Sequence, residues 1–224
     1  MQASHLIARS LVAAASCLAM GSASAVPVTW TDWTSIGGAG ASGTMGGVAV
    51  TATVTSGVIN GPTSQTGCGT NYWTGTAYTN GTVSNAPTNC EQISLNSAVS
   101  ITVAFGSAIN TLYMGLLSVG QSGLPVTYDF DQAFSIDSEG TGFFGNDITN
   151  GVIGAGDTLT MREFHGVLRF AAPVTTLRFT TTQENWQAFT FGTVPVPVPE
   201  PASLALVGIA LLGAGALSRR KQAA

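Results

Sequence analysis

Residues 48–55 read VAVTATVT and decide the fold class, because they alternate apolar residues with threonines. A period of two puts the valines on one face of an extended strand and the threonines on the other, as in a strand that is buried on one side. The same signal, with short breaks, predicts strands at 99–105, 126–130, 159–164, 167–171, 174–182 and 186–191. The central part of the chain is therefore predicted to be almost entirely β-structure.

Turn residues separate these strands. Asn-Gly, which favours two-residue hairpin turns, occurs at 60–61, 80–81 and 150–151, and a glycine-rich break runs from 37 to 47. About ten short strands without a helical period between them predict an all-β domain over residues 26–193, an antiparallel β-sandwich of jelly-roll-like form. A β-solenoid is the alternative, but the sequence shows no fixed repeat period.

The chain carries few charges, and most of them are acidic. Charged residues make up 8% of its 224 residues, with 7 Lys and Arg against 11 Asp and Glu. A nucleic-acid-binding protein needs a basic face, which this composition does not provide. Between the two ends of the chain the cations are Arg162, Arg169 and Arg178. Cations or neutral glycans are therefore better candidate partners than phosphates.

Residues 1–25 have the composition of a signal peptide. Arg9 precedes an apolar stretch at 11–20, and Ala23-Ser24-Ala25 forms a small-residue cleavage site. We therefore predict an N-terminal signal helix that is cleaved before Val26, so that the remaining chain is exported.

The C-terminal end reads as a proline-rich linker followed by an apolar anchor. Four prolines at alternate positions predict an extended linker over 194–201. Residues 202–217 are apolar apart from Ser203, and Arg219, Arg220 and Lys221 form a basic stop that would stay in the cytoplasm. The pattern predicts a short transmembrane helix within an anchor at 202–224, which would hold the body outside the cell membrane.

This end of the chain resembles the PEP-CTERM sorting signal of bacterial exported proteins, in which a Pro-Glu-Pro motif, an apolar segment and a basic stop follow one another. The resemblance implies recognition by an exosortase, a membrane processing enzyme, through Pro199, Glu200 and Pro201. It also implies removal of the anchor near this motif and delivery to the cell surface or the extracellular matrix. It implies no particular activity, since the bodies sorted in this way are diverse.

Two cysteines, Cys68 and Cys90, remain after the signal peptide with Cys17 is removed. An even pair in an exported chain predicts a disulfide, which would close a polar loop of about 22 residues. Two cysteines with no histidine nearby do not indicate a metal site.

Five acidic residues lie close together between positions 129 and 147. Carboxylates and glycine-rich turns can coordinate calcium, so Asp129, Asp131 and Asp137 are candidate ligands for a calcium cofactor. The spacing fits no EF-hand loop, however, and the simpler interpretation is that these carboxylates face solvent on a strand or a turn.

The aromatic residues offer a second kind of candidate site. Tyr72 and Trp73 lie among polar residues inside the predicted disulfide loop, so at least one ring should be exposed and could stack on a sugar. Large aromatic residues more often fill a core, which is the expectation for Trp30, Trp33 and Trp186.

Catalytic residues are not evident in the sequence. His165 is the only histidine outside the signal peptide, and His165-Gly166 falls at a predicted turn. Glu163 and Glu184 could serve as paired carboxylates for glycoside hydrolysis, but nothing in the sequence selects them.

We therefore predict an exported, non-enzymatic protein with a structural or adhesive role. A carbohydrate-binding module, with calcium support, is the alternative, and an extracellular hydrolase is the third.

Overall fold

The computed structural model describes residues 25–61, 69–145, 151–154 and 157–195. Within these ranges the chain forms fourteen strands and one short 3-10 helix, η1, at Thr76–Tyr78. The strands are β1 Thr29–Trp30, β2 Asp32–Gly37, β3 Gly40–Met45, β4 Val48–Ser56, β5 Ile93–Leu95, β6 Val99–Ile109, β7 Leu112–Val119, β8 Val126–Phe130, β9 Ser135–Glu139, β10 Val152–Ile153, β11 Thr158–Met161, β12 Phe164–Phe170, β13 Val174–Thr181 and β14 Gln187–Thr193.

The signal peptide, most of the proline-rich linker and the C-terminal anchor, all expected from the sequence, lie outside the described residues. In the part of the chain that is described, no helix has the length and apolar character needed to cross a membrane.

The strands form two sheets, and every pairing between the named strands is antiparallel. The six-stranded sheet has the order β1-β14-β7-β12-β9, with β5 also paired to β14. The eight-stranded sheet has the order β10-β11-β8-β13-β6-β4-β3-β2. From β5 to β14 every connection except that between β10 and β11 passes from one sheet to the other.

The two sheets pack face to face, and aromatic rings from both meet between them. Phe179 of β13 and Phe189 of β14 have their ring centroids 5.4 Å apart. Phe105 of β6 and Phe191 of β14 are 6.0 Å apart. The predicted all-β fold with two antiparallel sheets is therefore confirmed, and the core lies between the sheets.

Strands of the eight-stranded sheet show the period-two burial that the sequence predicts. In β4, Val50 and Ala52 are buried, whereas Thr51 and Thr53 are exposed. One face of this sheet forms the core and the other meets solvent, which is why apolar residues and threonines alternate along it.

The central strands of the six-stranded sheet, β14, β7 and β12, are in contrast buried on both faces. All eight residues of β7 are buried. The outer face is covered by residues 69–87, which we call the covering segment. The second apolar cluster joins this segment to the sheet: Val28, Trp30, Trp73, Ala77, Tyr78, Val83, Tyr113, Leu117, Val167 and Ala188. A strand in this position needs no polar face, and for that reason β7 carries no alternating signal.

Hydrogen bonds fix the covering segment to the sandwich at several points. The Asn85 side chain accepts a hydrogen bond from the Val28 N–H at 2.7 Å and donates one to the Val28 carbonyl at 2.9 Å. The Ser138 hydroxyl donates to the Ala77 carbonyl at 2.7 Å. These bonds satisfy backbone groups that the irregular segment would otherwise bury without a partner.

Two turn predictions from the sequence are wrong. The glycine-rich break at 37–47 contains β3, and the turn between β3 and β4 is Gly46-Gly47, with φ angles of 57° and 82°. Two successive positive φ angles define the turn that suits a two-residue hairpin. Neither Asn60-Gly61 nor Asn80-Gly81 joins neighbouring strands, because both lie in the long connection between β4 and β5.

Replacing Phe179 with alanine should lower the free energy of unfolding by about 3–5 kcal/mol, because this ring packs between the sheets. The matched control is Thr180→Ala on the same strand, whose exposed side chain should contribute about 1 kcal/mol or less. Urea denaturation monitored by circular dichroism measures both. Equal losses for the two variants would contradict the placement of the core.

Candidate functional site

A groove of about 560 Å³ opens at the end of the sandwich where β14 begins. Asn185 and Trp186, which immediately precede β14, form part of its wall, and Ser94 and Leu95 of β5 form another part. The remaining lining residues are Asn60, Gly61, Thr70, Tyr72, Asn89, Cys90, Gln92, Asn96 and Phe144. The volume lies within the range of about 300–1,000 Å³ that is typical of small-ligand sites.

Four aromatic side chains form a connected cluster at this groove, which we call the aromatic cluster: Tyr72, Phe143, Phe144 and Trp186. The Tyr72 ring stacks on Phe144 with centroids 5.6 Å apart and meets Trp186 at 5.7 Å. Phe143 and Phe144 are 46% and 47% exposed. Exposed apolar rings concentrated at one place are typical of a binding surface.

Side-chain amides supply the polar groups of the groove. Asn60, Asn89, Gln92, Asn96 and Asn185 each offer a carbonyl oxygen and an NH2 group. The Asn60 amide nitrogen lies 3.5 Å from the Asn96 side-chain oxygen, so these two amides face each other. Among the lining residues described there is no charged side chain.

The two residues predicted to contact a glycan are separated by the structure. Tyr72 is partly exposed and lines the groove. Trp73 is 2% exposed and packs edge-on against Tyr78 in the apolar cluster below the covering segment. Its ring therefore has no free surface for a ligand.

Trp186, which was predicted to fill the core, lines the groove together with Phe144, for which the sequence patterns made no prediction. Trp30 and Trp33 are buried as expected, at 7% and 0% exposure. Two adjacent phenylalanines in the polar turn GTGFFG, residues 140–145, are the signal that could have indicated Phe144, since such rings have little to pack against in a turn.

The three candidate calcium ligands do not converge. Asp129 and Asp131 lie on or just after β8 in the eight-stranded sheet, whereas Asp137 lies on β9 in the other sheet. Asp137 accepts hydrogen bonds from the Thr82 hydroxyl at 2.5 Å and the Thr82 N–H at 3.0 Å. Asp131 lies 3.5 Å from the Arg178 guanidinium. Within the described ranges, no group of three or more potential metal-binding side chains is present.

His165 lies inside β12 and is completely buried, so the predicted turn at His165-Gly166 is wrong. The turn falls instead at Arg162-Glu163, where Glu163 has a φ of 49°. His165 Nδ1 accepts the Ser118 N–H at 3.4 Å and lies 3.1 Å from the Tyr78 hydroxyl. Because a backbone N–H can only donate, Nδ1 is the acceptor in the Ser118 contact.

Glu163 lies beside this histidine, and the carboxylates of both Glu163 and Glu184 contact protein groups. Glu163 Oε1 accepts the Ser118 hydroxyl at 2.7 Å and lies 3.3 Å from His165 Nε2. Glu184 Oε2 accepts the Gly120 N–H at 2.7 Å. The pKa of Glu184 is raised to about 7, mainly by burial; the hydrogen bond from the Gly120 N–H opposes this shift and the Glu163 charge adds to it. Neither residue lines the groove.

Cys90 lies in the groove wall with a φ of 77° and is 5% exposed. Cys68 lies outside the described residues, and the Cys68–Cys90 disulfide stays a prediction.

One family comparison gives a match. Residues 197–221 match the model of the PEP-CTERM protein-sorting motif. The chain therefore carries a PEP-CTERM sorting domain, as its resemblance implied, and the motif marks a protein that is exported and sorted by an exosortase to the surface or the extracellular space. No curated protein and no solved structure gives a significant match.

Glu184→Gln should remove a pH dependence of stability between pH 4.5 and about 7. In that range folded Glu184 keeps a proton that the unfolded chain has lost, so the free energy of unfolding falls as the pH rises. The glutamine variant should therefore gain stability relative to the wild type between pH 4 and pH 8, as measured by urea denaturation at both. Asp129→Asn, which changes an exposed carboxylate, is the control. A constant difference between Glu184→Gln and wild type would contradict the assignment.

Proposed function

We propose that this chain is an exported, non-enzymatic protein with a structural or adhesive role at the cell surface or in the extracellular matrix. The sorting domain carries this proposal, because it begins at residue 197, only a few residues after β14 ends at Thr193. The body is thus presented through a short proline-rich linker. The burial of His165 supports a non-enzymatic role, since a fully enclosed imidazole cannot meet a substrate.

The proposal includes a processing route in which both ends of the chain take part. A signal peptide over residues 1–25 would start export, and the apolar segment with its basic stop, Arg219 to Lys221, would hold the chain in the membrane until the exosortase acts. In the oxidising space outside the membrane, Cys68 and Cys90 would form a disulfide that closes the connection bearing the covering segment.

The body itself is proposed to be a jelly roll. The strand orders β5-β14-β7-β12 and β6-β13-β8-β11, with connections that pass between the sheets, support this interpretation. In this description β2, β3 and β4 extend one sheet at its β6 edge, and β9 extends the other at its β12 edge.

Carbohydrate binding is the second candidate function. The observation that favours it is the groove lined by aromatic rings and neutral amides. A calcium-assisted form has no support from Asp129, Asp131 and Asp137, because these carboxylates do not meet.

Changing Pro199, Glu200 and Pro201 to alanine together should leave unprocessed protein in the membrane fraction, because the exosortase would lose the residues it recognises. Immunoblots of membrane, surface and medium fractions measure the distribution and the size of the chain. A triple alanine change at Val194, Pro195 and Val196, in the same linker, is the control. Normal release of the motif variant would refute the sorting assignment.

The adhesive role predicts that the processed protein, purified from the surface of producing cells, binds isolated matrix from a strain that lacks the gene. Co-sedimentation measures the retained fraction, and a reducing-end assay on the same matrix measures hydrolysis. We expect retention without new reducing ends. Protein that stays in the supernatant would contradict the adhesive role, and accumulating reducing ends would contradict the non-enzymatic one.

A further inference from the structure

The groove presents flat apolar surfaces, and few classes of ligand have a flat apolar face that is complementary to them. Tyr72, Phe144 and Trp186 all contribute to its lining, and their rings contact one another at centroid distances of 5.6–5.7 Å. Because each ring is supported by its neighbours, the surface is rigid before a ligand arrives, and little conformational entropy is lost on binding. A pyranose ring has one face made of C–H groups, which can pack on such a surface.

The polar side of the groove matches hydroxyl groups. An amide both donates and accepts hydrogen bonds, and so does a sugar hydroxyl, so the five amides can pair with several hydroxyls in either direction. A carboxylate or a sulfate on the ligand would need a cationic partner to offset its desolvation, and the described lining contains none.

We propose that this groove is a binding site for a neutral glycan, with Trp186 and Tyr72 as the stacking residues and Asn185, Asn60 and Asn96 as hydroxyl partners. The proposal specifies the ligand and the site of the carbohydrate binding that is the second candidate function above. It depends on the proposed surface display only for the place in which binding would occur. It assigns the ligand class as an uncharged polysaccharide, as distinct from a uronic-acid or sulfated polymer.

The position of the groove relative to the two ends of the described body determines the direction in which the groove faces. Trp186 precedes the first residue of β14, whereas Val194 and Pro195 follow its last residue. The eight residue steps from Trp186 to Val194 span about 26 Å at roughly 3.3 Å per residue. Val26 lies beside Pro195, so both ends of the described body meet at the pole opposite the groove. A body tethered through residue 195 therefore points the groove away from its own membrane, toward matrix polymers or another cell.

The test uses the processed protein recovered from the cell surface, with dextran, mannan and cellohexaose as neutral probes and alginate as the anionic probe. Affinity electrophoresis ranks the probes. Tryptophan emission reports the site, because Trp186 is the one tryptophan of the four that is not buried. Trp186→Ala and Asn185→Ala should each weaken binding of the preferred neutral probe, the tryptophan change by about tenfold or more.

The controls are matched in residue type and exposure. Asn110→Ala alters an exposed amide in the turn between β6 and β7, at the opposite pole, and Leu124→Ala alters an exposed apolar side chain outside the groove. Both should leave affinity unchanged, and melting temperatures verify that all four variants fold. Should Trp186→Ala fail to fold, Asn185→Ala together with the emission change in the wild type decides the question.

Binding to a neutral probe that shifts tryptophan emission and is lost in the groove variants supports the proposal. Binding to none of the neutral probes, a preference for alginate, or binding that both groove variants retain overturns it. Retention on isolated matrix by Trp186→Ala at the wild-type level would leave the adhesive role standing and place its contact outside the groove, so that failure of the two proposals can be told apart.

Discussion

Burial of both faces of the central strands in the six-stranded sheet is the constraint on which the rest of the structure depends. One face packs against the second sheet, and the other would expose Trp30, Tyr113 and Leu117 if the covering segment did not lie on it. Gly115 on β7 shows how close this contact is, since a Cβ there would lie 3.0 Å from Pro87 and 3.4 Å from the Trp73 ring. The long connection between β4 and β5 is therefore part of the core, and its polar backbone must find partners within the sandwich.

The same constraint builds the groove. Because Trp73 must enter the apolar cluster, the neighbouring Tyr72 points outward at the edge of the sheet, where it meets Trp186 and Phe144. The strands thus supply the frame, and the connections between them supply most of the side chains that line the groove. The aromatic cluster exists where a covered sheet face ends, which explains why exposed rings are concentrated at this pole of the sandwich.

Sequence patterns predicted those parts of the fold in which one face of a strand meets solvent. The strand at Val126–Phe130 was located with its observed bounds, and the alternation of residues 48–55 marked β4. Residues 112–119 gave no such signal, because both faces are covered by other parts of the chain. Of the pair Tyr72 and Trp73, Tyr72 is the ring that is partly exposed, and Trp186, expected in the core, is only partly buried. A single sequence shows the period with which apolar and polar residues alternate along a strand. It does not show which strand faces will be covered by a connection that is distant in the sequence. The sorting domain was predictable because its residues are contiguous and need no tertiary contact to be recognised.

Several acidic residues accept hydrogen bonds from the backbone in the structure, among them Asp137 and Glu184, which suggested chemistry in the sequence. Glu91 accepts the Trp33 N–H at 2.6 Å, Glu184 the Gly120 N–H and Asp137 the Thr82 N–H, each at a place where a strand ends or a connection leaves the ladder. A carboxylate forms a stronger hydrogen bond to such a donor than a neutral acceptor does, so a chain with few charges gains most by placing them at these irregular sites. Each of these carboxylates is thereby occupied by the protein itself. The groove is left with neutral amides and aromatic rings, and this division of roles supports the proposal of a neutral, hydroxyl-rich ligand in preference to a cation.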